Sequence, residues 1–131
     1  MAGRSESLQI LRVVPMLAVM GTIFFLSHQP DYIVKLPDIF SFDKLLHAVA
    51  YGVLAATVLF AAPTELRKKS LSFTAVLAMI ICLLYGISDE FHQSFIPGRY
   101  ASIWDVAADL LGAAVVVWFW RLRMMGVEGS V

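Results

Sequence analysis

The sequence predicts an all-α fold: a four-helix transmembrane bundle forming a single domain over residues 1–131, with an interfacial or re-entrant first outer loop. Three observations predict it. Hydrophobic residues make up 60% of the 131-residue chain and charged ones only 15%, against ~45–50% and ~25% in a soluble domain. The mean hydropathy is +0.78, and so short a chain cannot bury that much apolar surface away from water. Four apolar segments of about 17–19 residues each recur along it, or ~25–28 Å as helix, close to the ~30 Å hydrocarbon core. Strands of a membrane barrel would be shorter and would alternate. The same composition excludes a disordered tail, a collagen-like repeat and a secreted disulfide scaffold.

The helices are expected at roughly 8–27, 43–62, 70–93 and 102–121. The first apolar run, Val13 to Leu26, follows Arg4 and Arg12 as a signal peptide would. No small-x-small site follows it, because the chain reads Ser27-His28-Gln29-Pro30, so a retained helix is expected. From His28 to Phe42 the first outer loop is greasy, while Pro30 and Pro37 forbid one continuous helix. Such a segment suits the membrane interface or a re-entrant path over the bundle mouth. Ser41 is a candidate N-cap for the second helix. That helix, Leu45 to Ala62, follows Asp43-Lys44. The third, Leu71 to Ile87, lies between Arg67-Lys68-Lys69 and Asp89-Glu90. Its Cys82, the only cysteine, reads as a small buried apolar residue. Pro97-Gly98 signals a turn, Ser102 a cap, and Ile103 to Trp120 the fourth helix, carrying Asp105 and Asp109.

Orientation follows from the basic residues. Seven of the ten Lys and Arg (Arg4, Arg12, Arg67, Lys68, Lys69, Arg121, Arg123) fall at one end, and Lys35, Lys44 and Arg99 at the other. The positive-inside rule then predicts cytoplasmic termini. Trp118 and Trp120 would form the inner aromatic belt, with Tyr32, Tyr100 and Trp104 at the outer one. The ten basic residues balance ten acids, so nothing suggests a nucleic-acid partner.

The unusual polar residues collect at the outer end: Ser27, His28, Gln29, Asp43, Lys44, His47, Asp89, Glu90, His92, Gln93, Arg99, Asp105 and Asp109. Helical spacing sorts them into stripes. Asp43, His47 and Tyr51 share one face of the second helix. Tyr85, Asp89 and His92, with Gln93 beside them, share one face of the third. Asp105, Asp109 and Gly112 share one face of the fourth, where Gly112 allows another helix to come close. Three such stripes are expected to turn inward and line a polar cup. Asp43 alone could merely favour the helix dipole, and Asp89 and Glu90 could be membrane-edge residues. Asp109, two turns into a spanning helix, needs a partner or water, and Arg99, His47, Lys44 or His92 could supply it. Arg99 follows a rigid turn and suits a bidentate grip on phosphate or carboxylate, or an internal salt bridge to Asp105 or Asp89. No cofactor is predicted. Three histidines and several acids raise a divalent cation as a secondary reading, but no H-x-x-x-H or H-E-x-x-H spacing is present. Nor does a G-x-S-x-G elbow support Ser27 as a nucleophile.

Four blocks carry a resemblance. They are Ser27-His28-Gln29-Pro30; Asp43-Lys44-x-x-His47-x-x-x-Tyr51; Asp89-Glu90-x-His92-Gln93-x-Phe95-x-Pro97-Gly98-Arg99; and Ser102-x-x-Asp105-x-x-x-Asp109-x-x-Gly112. Together they resemble the VanZ-like family over about Ser27 to Gly112. The resemblance implies a small bacterial four-helix membrane protein, and the family's name-giving member is associated with teicoplanin resistance without remodelling of the peptidoglycan stem peptide. It also implies signature roles for Asp43, His47, Glu90, Gln93, Arg99 and Asp105. Where this chain has Asp109 the family often carries Asn, which implies a hydrogen-bonding role.

Three functions compete on these residues. One is an outer-leaflet hydrolase or transferase acting on a lipid or lipid-linked envelope precursor. In it His47 or His92 would be the base, Glu90 or Asp89 the acid, with Asp43 and Asp105 in the same constellation. Arg99 would be the phosphate grip, and Gln93, Lys44, Ser27, His28, Tyr51 and Asp109 would contact substrate. The second is a non-catalytic module binding an antibiotic, a lipid or an envelope protein in the same cup. The third, a small transporter, is disfavoured because the inner half lacks polar residues to complete a path.

Overall fold

The computed structural model describes residues 9–30 and 40–128. Five helices are resolved within them: α1 (Val14–Ser27), α2 (Phe40–Ala61), α3 (Thr64–Lys69), α4 (Leu71–Gln93) and α5 (Ile103–Glu128). Four stretches are long and apolar enough to cross a membrane: Gln9–Ser27, Phe42–Ala61, Leu71–Gln93 and Ile103–Gly126. The chain is a multi-pass membrane protein built as an all-α bundle. The first outer loop lies mostly outside the described residues, and Ser41, expected to cap α2, falls within that helix instead, because the helix already begins at Phe40.

The boundaries follow local chemistry. Pro15 stands in the first turn of α1, where its missing N–H costs nothing, but its ring forbids an unbroken helix back to Leu8. The chain instead makes a tight turn there, with Arg12 N–H donating to the Gln9 carbonyl (3.2 Å) and Val13 N–H to that of Ile10 (3.1 Å). Pro63 ends α2 and starts α3, one turn carrying the basic residues expected in a loop. Ser70 caps α4, its hydroxyl accepting from Phe73 N–H at 3.1 Å. After α4, Arg99 N–H donates to the Ile96 carbonyl (3.1 Å) across Pro97 and Gly98, and Gly98 has φ 81°. That is a type II turn, Pro presetting its first central residue and Gly accepting the positive φ of its second. α5 runs seven residues beyond the expected 121, to Glu128.

The most extensive packing is between α2 and α5, while among the four spanning helices α1 touches its neighbours least. Small residues explain the first contact. A Cβ on Gly112 would strike the Ala48 carbonyl, and one on Gly52 would lie 3.4 Å from the Gly112 carbonyl oxygen. The backbones therefore meet directly, as dispersion-driven helix association in lipid favours. Around this seam lies an apolar core of Tyr51, Leu54, Ala55, Val58, Ala78, Cys82, Ala113 and Val117. The outward faces carry exposed Phe24, Phe25, Val49, Leu84, Leu111 and Phe119. Trp118 points outward, whereas Trp120, expected beside it at the interface, packs partly against the core. The basic ends of the helices lie together, Arg12 of the first span donating to Thr64 (3.2 Å) and Arg121 to Ser72 (3.2 Å).

Candidate functional site

At the opposite end the bundle encloses a cleft of about 400 Å³ between α1, α2 and α4. Asp43, His47 and Tyr51 of α2 line it, as the i, i+4, i+8 spacing requires. Ser27 of α1, Asp89 and Gln93 of α4, and Arg99 after the turn complete its polar side. The rest of its wall is apolar: Ile23, Leu26, Leu46, Val49 and Ala50. Leu26, Leu46 and Val49 are exposed on the bundle surface, so the cleft opens sideways between α1 and α2. This apolar wall had no signal in the sequence, because outward-facing leucines and valines are what any spanning helix carries.

His47 is held from behind. Its Nδ1 lies 2.9 Å from Asp109 Oδ1 on α5, and Asp109 is 1% exposed. With Asp109 ionised, Nδ1–H donates to it, which fixes the tautomer and leaves Nε2 with the free lone pair. Nε2 faces Asp43 and Asp105, 3.9 Å from a carboxylate oxygen of each. Lys44 joins those same two acids, with its ammonium 3.0 Å from Asp43 and hydrogen-bonded to Asp105. Asp109 and Asp105 thus stand behind the lining residues rather than among them. Asp109 meets its expected partner, and of the candidates it is His47.

A second network ties α1 to α4. The Ser27 hydroxyl donates to Asp89 Oδ2 (2.9 Å), and Gln93 Nε2 donates to the same oxygen (3.1 Å). Ser27, Asp89 and Gln93 are all buried. Gln93 Oε1 in turn accepts from Arg99 Nη1 (3.4 Å), while Arg99 Nε donates to the Gln29 carbonyl (2.9 Å). Neither expected salt bridge of Arg99 forms: its guanidinium is fixed by neutral oxygens and pairs with no carboxylate among the described residues. Glu90 faces the loop, where Oε2 accepts the Ser102 backbone N–H at 2.7 Å. It braces the start of α5 from outside the cleft lining. Ser102 contributes its backbone there, its carbonyl accepting from Asp105 N–H at 3.0 Å.

His28 and His92 sit apart from the cleft. His28 Nδ1 is 3.2 Å from His92 Nε2, and Phe24 stacks on His92 with ring centroids 4.5 Å apart. The stripe Tyr85, Asp89, His92 is therefore divided, because its residues, though on one face of α4, meet different partners. Asp89 enters the cleft, and Tyr85 donates to the Met20 carbonyl of α1 (2.6 Å). Two buried polar atoms lack partners where the two networks approach, Tyr51 Oη and Asp109 Oδ2. Both adjoin Gly86, where an added Cβ would lie 3.0 Å from Asp109 Oδ2 and 3.4 Å from the Tyr51 ring.

Asp43, His47 and Asp105 present ligand atoms within 4.8 Å of one another, a spacing a divalent cation can use. The Lys44 ammonium already bridges the two carboxylates, supplying the positive charge such an ion would bring.

The model of one protein family, described as VanZ/LLP1, matches residues 3–124. No curated protein and no solved structure matches.

Proposed function

The chain belongs to the VanZ/LLP1 family, and from that premise we propose that it binds and acts on an amphiphile of the cell envelope, a lipid or lipid-linked precursor. The observation that carries this reading is the two-sided character of the cleft. One wall is apolar and opens toward the acyl region between α1 and α2, and the other presents Arg99, His47, Asp43, Asp89 and Gln93. A ligand with a chain and an anionic head would satisfy both walls, entering sideways from the leaflet. Arg99 is the natural contact for a phosphate or carboxylate, because it meets no carboxylate among the described residues and its plane is fixed by Gln29 and Gln93. His47 is the general base: it lines the cleft, Asp109 orients it through Nδ1, and its Nε2 lies beside Asp43 and Asp105, the arrangement that supports proton abstraction from water or a hydroxyl. Tyr51 Oη, buried without a partner on the cleft wall, is a further contact.

Binding without turnover is a second reading, and one observation favours it: Ser27, Asp89 and Gln93 already satisfy one another, leaving no free nucleophile among them. Transport is the weakest, since the core toward the basic end is apolar. The charge asymmetry favours a polar end outside the inner membrane and cytoplasmic termini. Action on such a precursor would be expected to alter susceptibility to glycopeptides such as teicoplanin.

The test compares lipid and precursor extracts from cells expressing wild type, His47→Ala and Arg99→Gln at matched protein levels. A species changed by wild type and unchanged by both variants supports catalysis. Lipid co-purifying with wild type and His47→Ala but not with Arg99→Gln would leave binding alone. Identical extracts together with no co-purifying lipid in any of the three would overturn the proposal. Cysteine labelling from outside, reaching positions 43 and 99 but not 67–69, checks the orientation.

A further inference from the structure

A second cluster lies at the other end of the bundle, and it is built for an anion. Arg12 Nη1 and Arg67 Nη2 both donate to the hydroxyl of Thr64, each at 3.2 Å. Two guanidiniums thus converge on one neutral oxygen, and neither meets a carboxylate among the described residues. The nearby acid, Glu65, turns outward to Lys68 (3.7 Å), and both those side chains are largely exposed. Arg67 Nε is buried with no partner, and burial together with the Arg12 charge lowers the Arg67 pKa from its ordinary value. Arg12 is held in place by the Phe60 ring, 4.8 Å beneath its guanidinium. Like charges converging in this way are unfavourable until an anion joins them.

The cluster also stands at the head of an apolar groove of about 210 Å³, separate from the polar cleft. Val13, Pro63 and Leu66, the chain neighbours of Arg12, Thr64 and Arg67, line it, and Met16, Ala62 and Ile81 continue it into the bundle. We propose that this end holds an anionic phospholipid, its phosphate on Arg12, Arg67 and Thr64 and part of an acyl chain in the groove. Charge complementarity selects the head, and the apolar lining distinguishes a lipid from a free anion. Bidentate guanidinium geometry makes the site more demanding than the general attraction of basic residues to an anionic leaflet.

Native mass spectrometry tests this with the full chain released from nanodiscs of phosphatidylcholine containing graded phosphatidylglycerol. Wild type should retain one phosphatidylglycerol in preference to phosphatidylcholine. Arg12→Lys and Arg67→Lys, which keep the charge but lose the fork, should each weaken that retention about fivefold. Lys68→Gln, exposed and outside the cluster, should leave it unchanged. Leu66→Trp fills the groove with both guanidiniums intact, and should also reduce retention. Equal retention of the two lipids would overturn the proposal, as would a loss in Lys68→Gln as large as in Arg67→Lys. Displacement of the lipid by millimolar inorganic phosphate at comparable affinity would reduce the site to an anion site and overturn the lipid assignment.

Discussion

Replacing Gly112 with alanine tests the seam on which both fold and site depend. The added methyl would lie 2.7 Å from Ala48 Cα and closer still to the Ala48 carbonyl. Ordinary contacts of a Cβ begin at 3.4 Å, and the obstruction is backbone, which has no rotamer to change. The helices must therefore part by roughly an ångström, giving up their closest contact. Overpacking of this kind costs about 1–3 kcal/mol, a factor of roughly 5 to 150 in the folded ratio. The displacement reaches the site as well. Asp109 is one turn before Gly112 and His47 directly precedes Ala48, so a 2.9 Å hydrogen bond would stretch beyond useful length. Gly112→Ala should thus melt earlier in detergent and lose the His47-dependent phenotype. Gly52→Ala, whose methyl would sit 3.4 Å from the Gly112 oxygen and a Val116 methyl, should shift melting less. Gly21→Ala, with nothing within 4 Å, should shift it least. A Gly112→Ala protein that melts with Gly21→Ala would refute the reasoning.

Other consequences follow from single contacts. Asp109→Asn keeps an oxygen to accept from His47 Nδ1 and should retain function, whereas Asp109→Leu should lose it; equal behaviour in the lipid-extract assay would deny His47 its orienting partner. Glu90→Ala removes the acceptor of the Ser102 N–H and should cost about 1–3 kcal/mol, while Glu90→Gln, still able to accept, should melt near wild type. A Glu90→Ala protein as stable as Glu90→Gln would show that the contact does not brace α5. Tyr85→Phe removes the hydrogen bond to the Met20 carbonyl and should destabilise by about 1 kcal/mol; unchanged thermal unfolding would contradict it. Lys44→Met leaves Asp43 and Asp105 without their ammonium, so manganese should raise the melting point of that variant and EDTA reverse the gain. A wild type that responds to manganese equally would show that Lys44 does not compete for the place.

The sequence alone was sufficient for the class of fold, because spanning a bilayer leaves little choice. Apolar runs of the right length must be helices, since lipid offers no partner for free backbone groups. Prolines, glycines and caps then mark where each helix stops, as at Pro63, Ser70 and Pro97-Gly98. Helical period also placed Asp43, His47 and Tyr51 on one face, and the cleft contains all three. The 64–69 turn was less legible, because a brief helical turn and a loop look alike in a basic, polar stretch.

Which residues meet was decided only by the tertiary structure. Period fixes the face of a helix but not its rotation against three neighbours, and only for α2 against α5 does the Gly112–Ala48 contact set that rotation. The packing of the helices gave Asp109 to His47, turned Glu90 to the loop, and sent His92 to His28 rather than into the cleft. It also made an amphiphilic cleft from Leu26, Leu46 and Val49, residues indistinguishable in sequence from others that face lipid. Composition determines that a helix is buried in membrane; only the packing of backbone on backbone determines which of its side chains share a site.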